Sequence, residues 1–146
     1  HRLLAADWYE KARYLAFTGQ FQHAVDAYTK GIENSPGLAA AYRNRGMLYL
    51  TYLKDRPRAL SDLDTALKTY NRNARSHMES KEFQQCVADT DAALTLNAKY
   101  AEAYYQRAFC RIGLRQQDDA REDFVAAAKL GHKASQDLLS KRNIAW

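Results

Sequence analysis

Four stretches of this chain repeat one cadence, and the repetition restricts the possible folds more than any other feature. Aligned, they read FQHAVDAYTKGI (21–32), RPRALSDLDTAL (56–67), FQQCVADTDAAL (83–94) and QDDAREDFVAAA (117–128). A small residue holds the same register in each: Ala24, Ala59, Cys86 and Ala120. Four positions on come Tyr28, Leu63, Thr90 and Phe124, and three further on Gly31, Ala66, Ala93 and Ala127. Spacings of four and three place all three positions on one helix face. Small residues let a second helix approach closely, and the large one fills the neighbouring groove. The partner helices precede these stretches and carry an aromatic with a small residue four positions on: Trp8 and Ala12, Tyr42 and Gly46, Tyr104 and Ala108. Helix, short turn, helix and a loop ending near Pro36, Asn71 or Ala98 give a hairpin of about 34 residues. One such hairpin cannot bury its apolar face alone, so neighbours must stack.

These residues resemble the tetratricopeptide repeat family over nearly the whole chain. Repeat one supplies Trp8, Ala12, Gly19, Ala24, Tyr28, Gly31 and Pro36; repeat two supplies Tyr42, Gly46, Tyr49, Ala59, Leu63 and Ala66; repeat four supplies Tyr104, Ala108, Ala120, Phe124 and Ala127. The resemblance implies an all-α, right-handed superhelical stack of about four hairpins in a single domain. Its repeats are expected at 5–38, 39–72, 73–98 and 99–131. A capping helix is expected over 132–143, with Ala134, Leu138 and Leu139 on its buried face and a polar outer face of the kind repeat arrays need.

The pattern breaks in one place. Ala59 to Cys86 is 27 residues, seven short of the repeat, and the loss falls within 68–83. Two readings stand side by side: a truncated first helix over 73–81, or residues missing at a gap or an engineered join, where Arg75-Ser76-His77-Met78 resembles a cloning scar. Repeat two carries one extra residue in 52–59, read as a lengthened turn, with Pro57 in the first turn of the following helix.

Composition narrows the function classes. Of 146 residues, 47% are hydrophobic and 27% charged, the balance of a globular domain, and no stretch approaches the ~20 apolar residues of a membrane span. The start lacks Met and any signal-peptide pattern, and reads as the edge of a longer protein. Net charge is +5, with +4 in residues 1–73 and +1 in 74–146, which favours an acidic partner without resembling a nucleic-acid tail. Cys86 and Cys110 have no metal spacing and make no disulfide framework; each is expected as a reduced, buried thiol, which points to an intracellular, cytoplasmic compartment. The four histidines fall in different elements, and there is no phosphate loop or nucleophile elbow. Carboxylates at Asp62, Asp64, Asp89, Asp91, Asp118, Asp119, Glu122 and Asp123 all fall on second helices and are expected on a solvated convex surface. No catalytic constellation, cofactor or metal site is expected.

What remains is binding. Resemblance to the family implies that first helices line a concave groove that receives extended or helical peptide segments. The groove positions are Tyr9 and Arg13, with Phe17 deeper, in repeat one; Arg43, Asn44 and Met47 in repeat two; and Tyr105, Gln106 and Phe109 in repeat four. Arginine suits a carboxylate because its planar fork donates two parallel hydrogen bonds, and Asn44 offers both a carbonyl and an amide to a peptide backbone. The competing readings are surface pairing, Arg13 with Glu10, and plain packing for Tyr105 and Phe109. In the Hsp70/Hsp90 co-chaperone subfamily a set of Lys, Asn and Arg grips a C-terminal carboxylate. Here only Asn44 matches it, with Arg75 as a candidate second, so the standard clamp is not expected. The leading expectation is a module that docks a partner's acidic or C-terminal peptide. The alternative is a scaffold assembling through its convex face, its open ends or with itself, and RNA binding ranks third.

Overall fold

The computed structural model describes residues 3–146, which hold eight α-helices and no strand among them. They are α1 (Ala5–Phe17), α2 (Phe21–Asn34), α3 (Ala39–Thr51), α4 (Arg56–Glu79), α5 (Phe83–Leu96), α6 (Ala101–Gly113), α7 (Gln117–Lys129) and α8 (Lys133–Lys141). No helix among the described residues is long and apolar enough to cross a membrane. The chain divides into two compact units, one ending at Thr69 and the other starting at Tyr70.

Each hairpin turn is built the same way. The residue five positions before the small residue of the second helix takes a left-handed backbone: Gly19 at φ 81°, Lys54 at 54°, Lys81 at 60° and Arg115 at 62°. This conformation lets the next backbone N–H reach back to the end of the first helix. Gln20 N donates to Leu15 O at 2.8 Å, Glu82 N to His77 O at 2.7 Å and Gln116 N to Arg111 O at 2.8 Å. In repeat two the corresponding bond, Asp55 N to Tyr49 O at 2.8 Å, spans one residue more, which is where the extra residue is absorbed. Asp55 then caps α4 by accepting from Arg58 N at 3.2 Å, with Pro57 inside the first turn, where its missing N–H leaves no helical bond unmade.

In the first unit the small residues do what the spacing demands. Ala12, Ala24 and Ala41 have no exposed surface and pack with Val25, Tyr28 and Leu48. A Cβ added to Gly31 would lie 3.5 Å from both Ala5 O and Trp8 Cβ, so α1 runs against α2 at this point with little room to spare. At Gly46 the added atom would sit 3.0 Å from Asp62 Cβ and 3.1 Å from Leu63 Cγ, the same close approach between α3 and α4.

The helix expected as a separate element over 73–81 is the second half of α4. Between Arg58 and Glu79 there is no Gly or Pro, whereas the junctions after α2 and α7 carry Ser35-Pro36-Gly37 and Gly131. Nothing in the segment stops the helix, so it runs on. Seven residues are close to two helical turns, so a spacing shortened by that amount keeps the helix faces in register. Tyr70 (8% exposed) and Ala74 (0%) then restore the aromatic–small pair of Trp8 and Ala12.

In the second unit two clusters form. One holds Ala74, Cys86 and Cys110 with Met78, Phe83 and Val87; the other holds Ala108, Ala120, Phe124, Ala128 and Leu139 with Tyr105, Phe109 and Leu138. Here the cysteine expectation is corrected: Cys86 and Cys110 are fully buried but joined as a disulfide. They stand on α5 and α6, which pack side by side, with Cα atoms 6.2 Å apart. A spacing of 24 residues does not reveal that, because it depends on which faces of two helices meet. The cap is corrected too. Ser135 and Leu139, one turn apart, are its buried residues, and Ala134 is exposed.

Candidate functional site

The carboxylates of the second helices do not all face water. Asp62 and Asp123 are 6% and 3% exposed, and each receives a two-pronged arginine. Arg45 donates Nε and Nη2 to the two oxygens of Asp62, both at 2.7 Å, and Nη1 to Thr29 Oγ1 at 3.0 Å. Arg107 donates to Asp123 at 3.0 and 2.7 Å and to Asp91 at 2.8 Å, and Arg111 adds a bond to Asp123 at 2.8 Å. Each arginine also lies over the aromatic one turn before it, Arg45 over Tyr42 and Arg107 over Tyr104. These bonds hold both guanidinium pKa values above the usual arginine range despite partial burial. Asp89 pairs with His77 Nδ1; burial raises its carboxyl above the ordinary value, and the His77 bond pulls it back. Buried pairs of this kind orient helices, and they withdraw Arg45 and Arg107 from ligand contact.

The groove candidates of the first unit converge. Asn44 Nδ2 donates to Tyr9 Oη at 3.0 Å and Tyr28 Oη at 3.2 Å, and Asn44 Oδ1 accepts from Arg43 Nε at 3.3 Å. Tyr9 and Tyr28 meet edge to face at 5.7 Å, and the Arg13 guanidinium lies 6.0 Å from the Tyr9 ring. Burial raises the Tyr28 hydroxyl pKa; the Asn44 bond and the positive charges of Arg13 and Arg43 act against it, with Tyr9 adding to the rise. Both cations therefore act on one point. Arg43 uses only Nε, and its terminal amino groups meet no carboxylate among the described residues. Arg13 holds Glu10 at 3.3 Å, but with side chains 59% and 67% exposed that pair is weak and exchangeable. Phe17 and Met47, one turn beyond Arg13 and Arg43, are 90% and 44% exposed.

The second unit treats the matching positions differently. Tyr105 and Phe109 pack edge to face on each other and on Phe124, and Tyr105 also lies against His132. Gln106 is 6% exposed and donates to Met78 Sδ at 3.0 Å. Sequence reasoning did not find Tyr28 as the second hydroxyl on Asn44, because Tyr28 looked spent on helix packing. Its signal was the polar end of an aromatic placed at a core position.

The signature residues thus fill the positions their pattern assigns. Ala24 and Ala120 lie buried beside Tyr28 and Phe124, and Gly31 and Gly46 mark close helix approaches. The fold is that of the tetratricopeptide repeat. No family profile matches the chain. Among curated relatives, RNA polymerase II-associated protein 3 of Rattus norvegicus is 24% identical over 144 residues, covering 92% of this chain and 18% of the relative. The Xenopus tropicalis protein of the same name is 26% identical over 121 residues, covering 83% of this chain and 14% of its own length. The chain thus spans less than a fifth of the curated relatives it matches. Similar solved structures include MamA (20% identity, 82% of this chain and 73% of that one, TM-score 0.45). Another is the first tetratricopeptide domain of Spaghetti, RPAP3, bound to the HSP90 peptide SRMEEVD (23% identity, 94% and 88% covered, TM-score 0.39).

Proposed function

We propose that this tetratricopeptide chain is a protein-interaction module that docks an acidic peptide segment of a partner protein on the first-helix face of its first unit. The observation that carries the reading is the pre-set Arg43 fork. Asn44, held by two tyrosine hydroxyls, accepts from half-buried Arg43 through Nε, and the terminal amino groups of Arg43 meet no carboxylate among the described residues. A fork held in this way loses little side-chain freedom when it meets a ligand carboxylate, which favours binding. Arg13 adds a second charge with only a loose partner, and Met47 and Phe17 offer apolar contact one turn away. Asn44 acts here through Arg43, because its amide hydrogens are already used. Tyr105, Gln106 and Phe109 are left out of the contact set, since their surfaces are given to packing. The reading has no catalytic role. Its intracellular setting draws on the relatives' association with RNA polymerase II, because the Cys86–Cys110 bond removes the argument from free thiols.

The test is an array of acidic peptides, SRMEEVD among them, probed with wild type, Arg43→Glu and Asn44→Ala. A charge-assisted bond is worth about 1.5–3 kcal/mol, so Arg43→Glu should weaken the best peptide by roughly tenfold or more. Asn44→Ala should weaken it less, and added salt should weaken it further. If the variants match wild type on every peptide, the reading fails. The rival scaffold reading is favoured by Leu4, which is 72% exposed at the edge of the first unit. Concentration-dependent sedimentation that Leu4→Asp abolishes would replace peptide docking with self-assembly.

A further inference from the structure

A cleft of about 640 Å³ opens in the second unit, lined by the C-terminal part of α6, the first half of α7, the end of α8 and the residues after it. Its walls are Phe109, Ile112, Leu138 and Ile144, with Ala120 and Phe124 beneath. Two features produce it. The cap α8 has nine residues against thirteen in α6 and α7, so it does not cover them along their full length. After it, Asn143 takes a left-handed turn (φ 57°) and Ile144 N donates back to Leu139 O at 2.9 Å, folding Ile144 into the wall. Ile112 is left 42% exposed in the cleft.

The charges at the cleft are lopsided. Arg121 and Arg142 line it, and neither makes an ion pair among the described residues, while Arg107 and Arg111 are both committed to Asp123. Asp118 is the one carboxylate in the lining. A cleft of ordinary ligand-pocket size with an apolar wall and a polar rim of Gln117, Asp118 and two guanidinium groups that make no ion pair fits one kind of guest. We propose that this cleft docks a short acidic segment of a partner protein. One bulky aliphatic or aromatic side chain enters between Ile112 and Leu138, and neighbouring carboxylates meet Arg121 and Arg142. The site uses none of the residues assigned to the Arg43 face and does not depend on that reading.

Fluorescence anisotropy on the full chain tests it, with Arg43→Glu as the background so that the first unit does not contribute. The probe is a fluorescein-labelled peptide with one leucine flanked by glutamates. The controls replace the leucine by serine or the glutamates by lysines. Saturable binding is expected for the leucine–glutamate peptide, at least tenfold weaker for either control. Adding Ile112→Asp, or Arg121→Glu with Arg142→Glu, should also cost at least tenfold while the circular dichroism stays helical. Should Ile112→Asp unfold the chain, the exposed arginine pair carries the test alone. The proposal is overturned if no saturable binding is seen, or if the lysine peptide binds equally well. It is overturned equally if the arginine variant leaves affinity unchanged. Self-association in sedimentation equilibrium that the arginine variant removes would assign the cleft to a second copy of the chain instead, and would also overturn it.

Discussion

Helices α3 and α6 align residue for residue, yet they do different work. Tyr42 matches Tyr104, Arg45 matches Arg107 and Gly46 matches Ala108, and these positions behave alike: the arginine lies over the tyrosine and clasps a buried aspartate, and the small residue admits the next helix. Between them Arg43, Asn44 and Met47 match Tyr105, Gln106 and Phe109, and these diverge. In α3 Arg43 and Asn44 form a polar cluster with uncommitted charge; in α6 Tyr105 and Phe109 close an aromatic core against Phe124 while Gln106 bonds Met78. Packing positions are constrained by helix geometry and repeat faithfully. The positions beside them are not fixed by that geometry, so one unit leaves them polar and the other uses them for further packing.

The clasps give the sharpest way to break the likeness. Among the described residues Asp62 pairs with Arg45 alone, whereas Asp123 has both Arg107 and Arg111. Arg45→Ala leaves a buried carboxylate without its cation and should cost about 3–5 kcal/mol. Arg107→Ala leaves Arg111 in place and should cost roughly half as much, since the charge is still paired. Denaturant unfolding of the two variants decides it; equal losses would show that Arg111 does not compensate.

A smaller contrast follows from the disulfide, which only the second unit carries. Closing a loop with a sequence separation of 24 residues stabilises by about 3 kcal/mol through the unfolded chain. Dithiothreitol should therefore lower the stability of the second unit and raise amide exchange in α5 and α6. Exchange in α1, α2 and α3 should hold steady. Unchanged exchange in α5 and α6 would mean that helix packing alone maintains the pairing of these two helices.

The turns offer the smallest effect and the closest comparison. Gly19 and Arg115 hold the same left-handed register in the two units, at φ 81° and 62°. A side chain there costs about 1 kcal/mol relative to glycine. Arg115→Gly should raise the midpoint of thermal unfolding and Gly19→Ala should lower it, by similar amounts. A loss of stability in Arg115→Gly would mean that its side chain contributes a contact that outweighs the backbone strain.

Much of this was legible in the residues. The period near 34, the small–large–small face and the extra residue of repeat two all follow from the 3.6-residue turn and from the volume of side chains between close helices, which are local matters. The convergence of Arg13, Arg43 and Tyr9 was legible in part, because their positions relative to the signature aromatics place them on first-helix faces. Three features were not. The continuity of α4 depends on a missing stop signal, and the burial of Tyr70 and Ala74 on that one helix depends on what packs against it. The Cys86–Cys110 bond and the burial of Asp62 and Asp123 depend on which faces of separate helices meet. The tyrosine hydroxyls on Asn44 and the cleft left by the short α8 depend on how separate helices are placed against one another. Sequence periodicity specifies the face of each helix that is buried. Which polar groups end up opposite one another across that interface, and which are left facing solvent, is decided only when the helices pack.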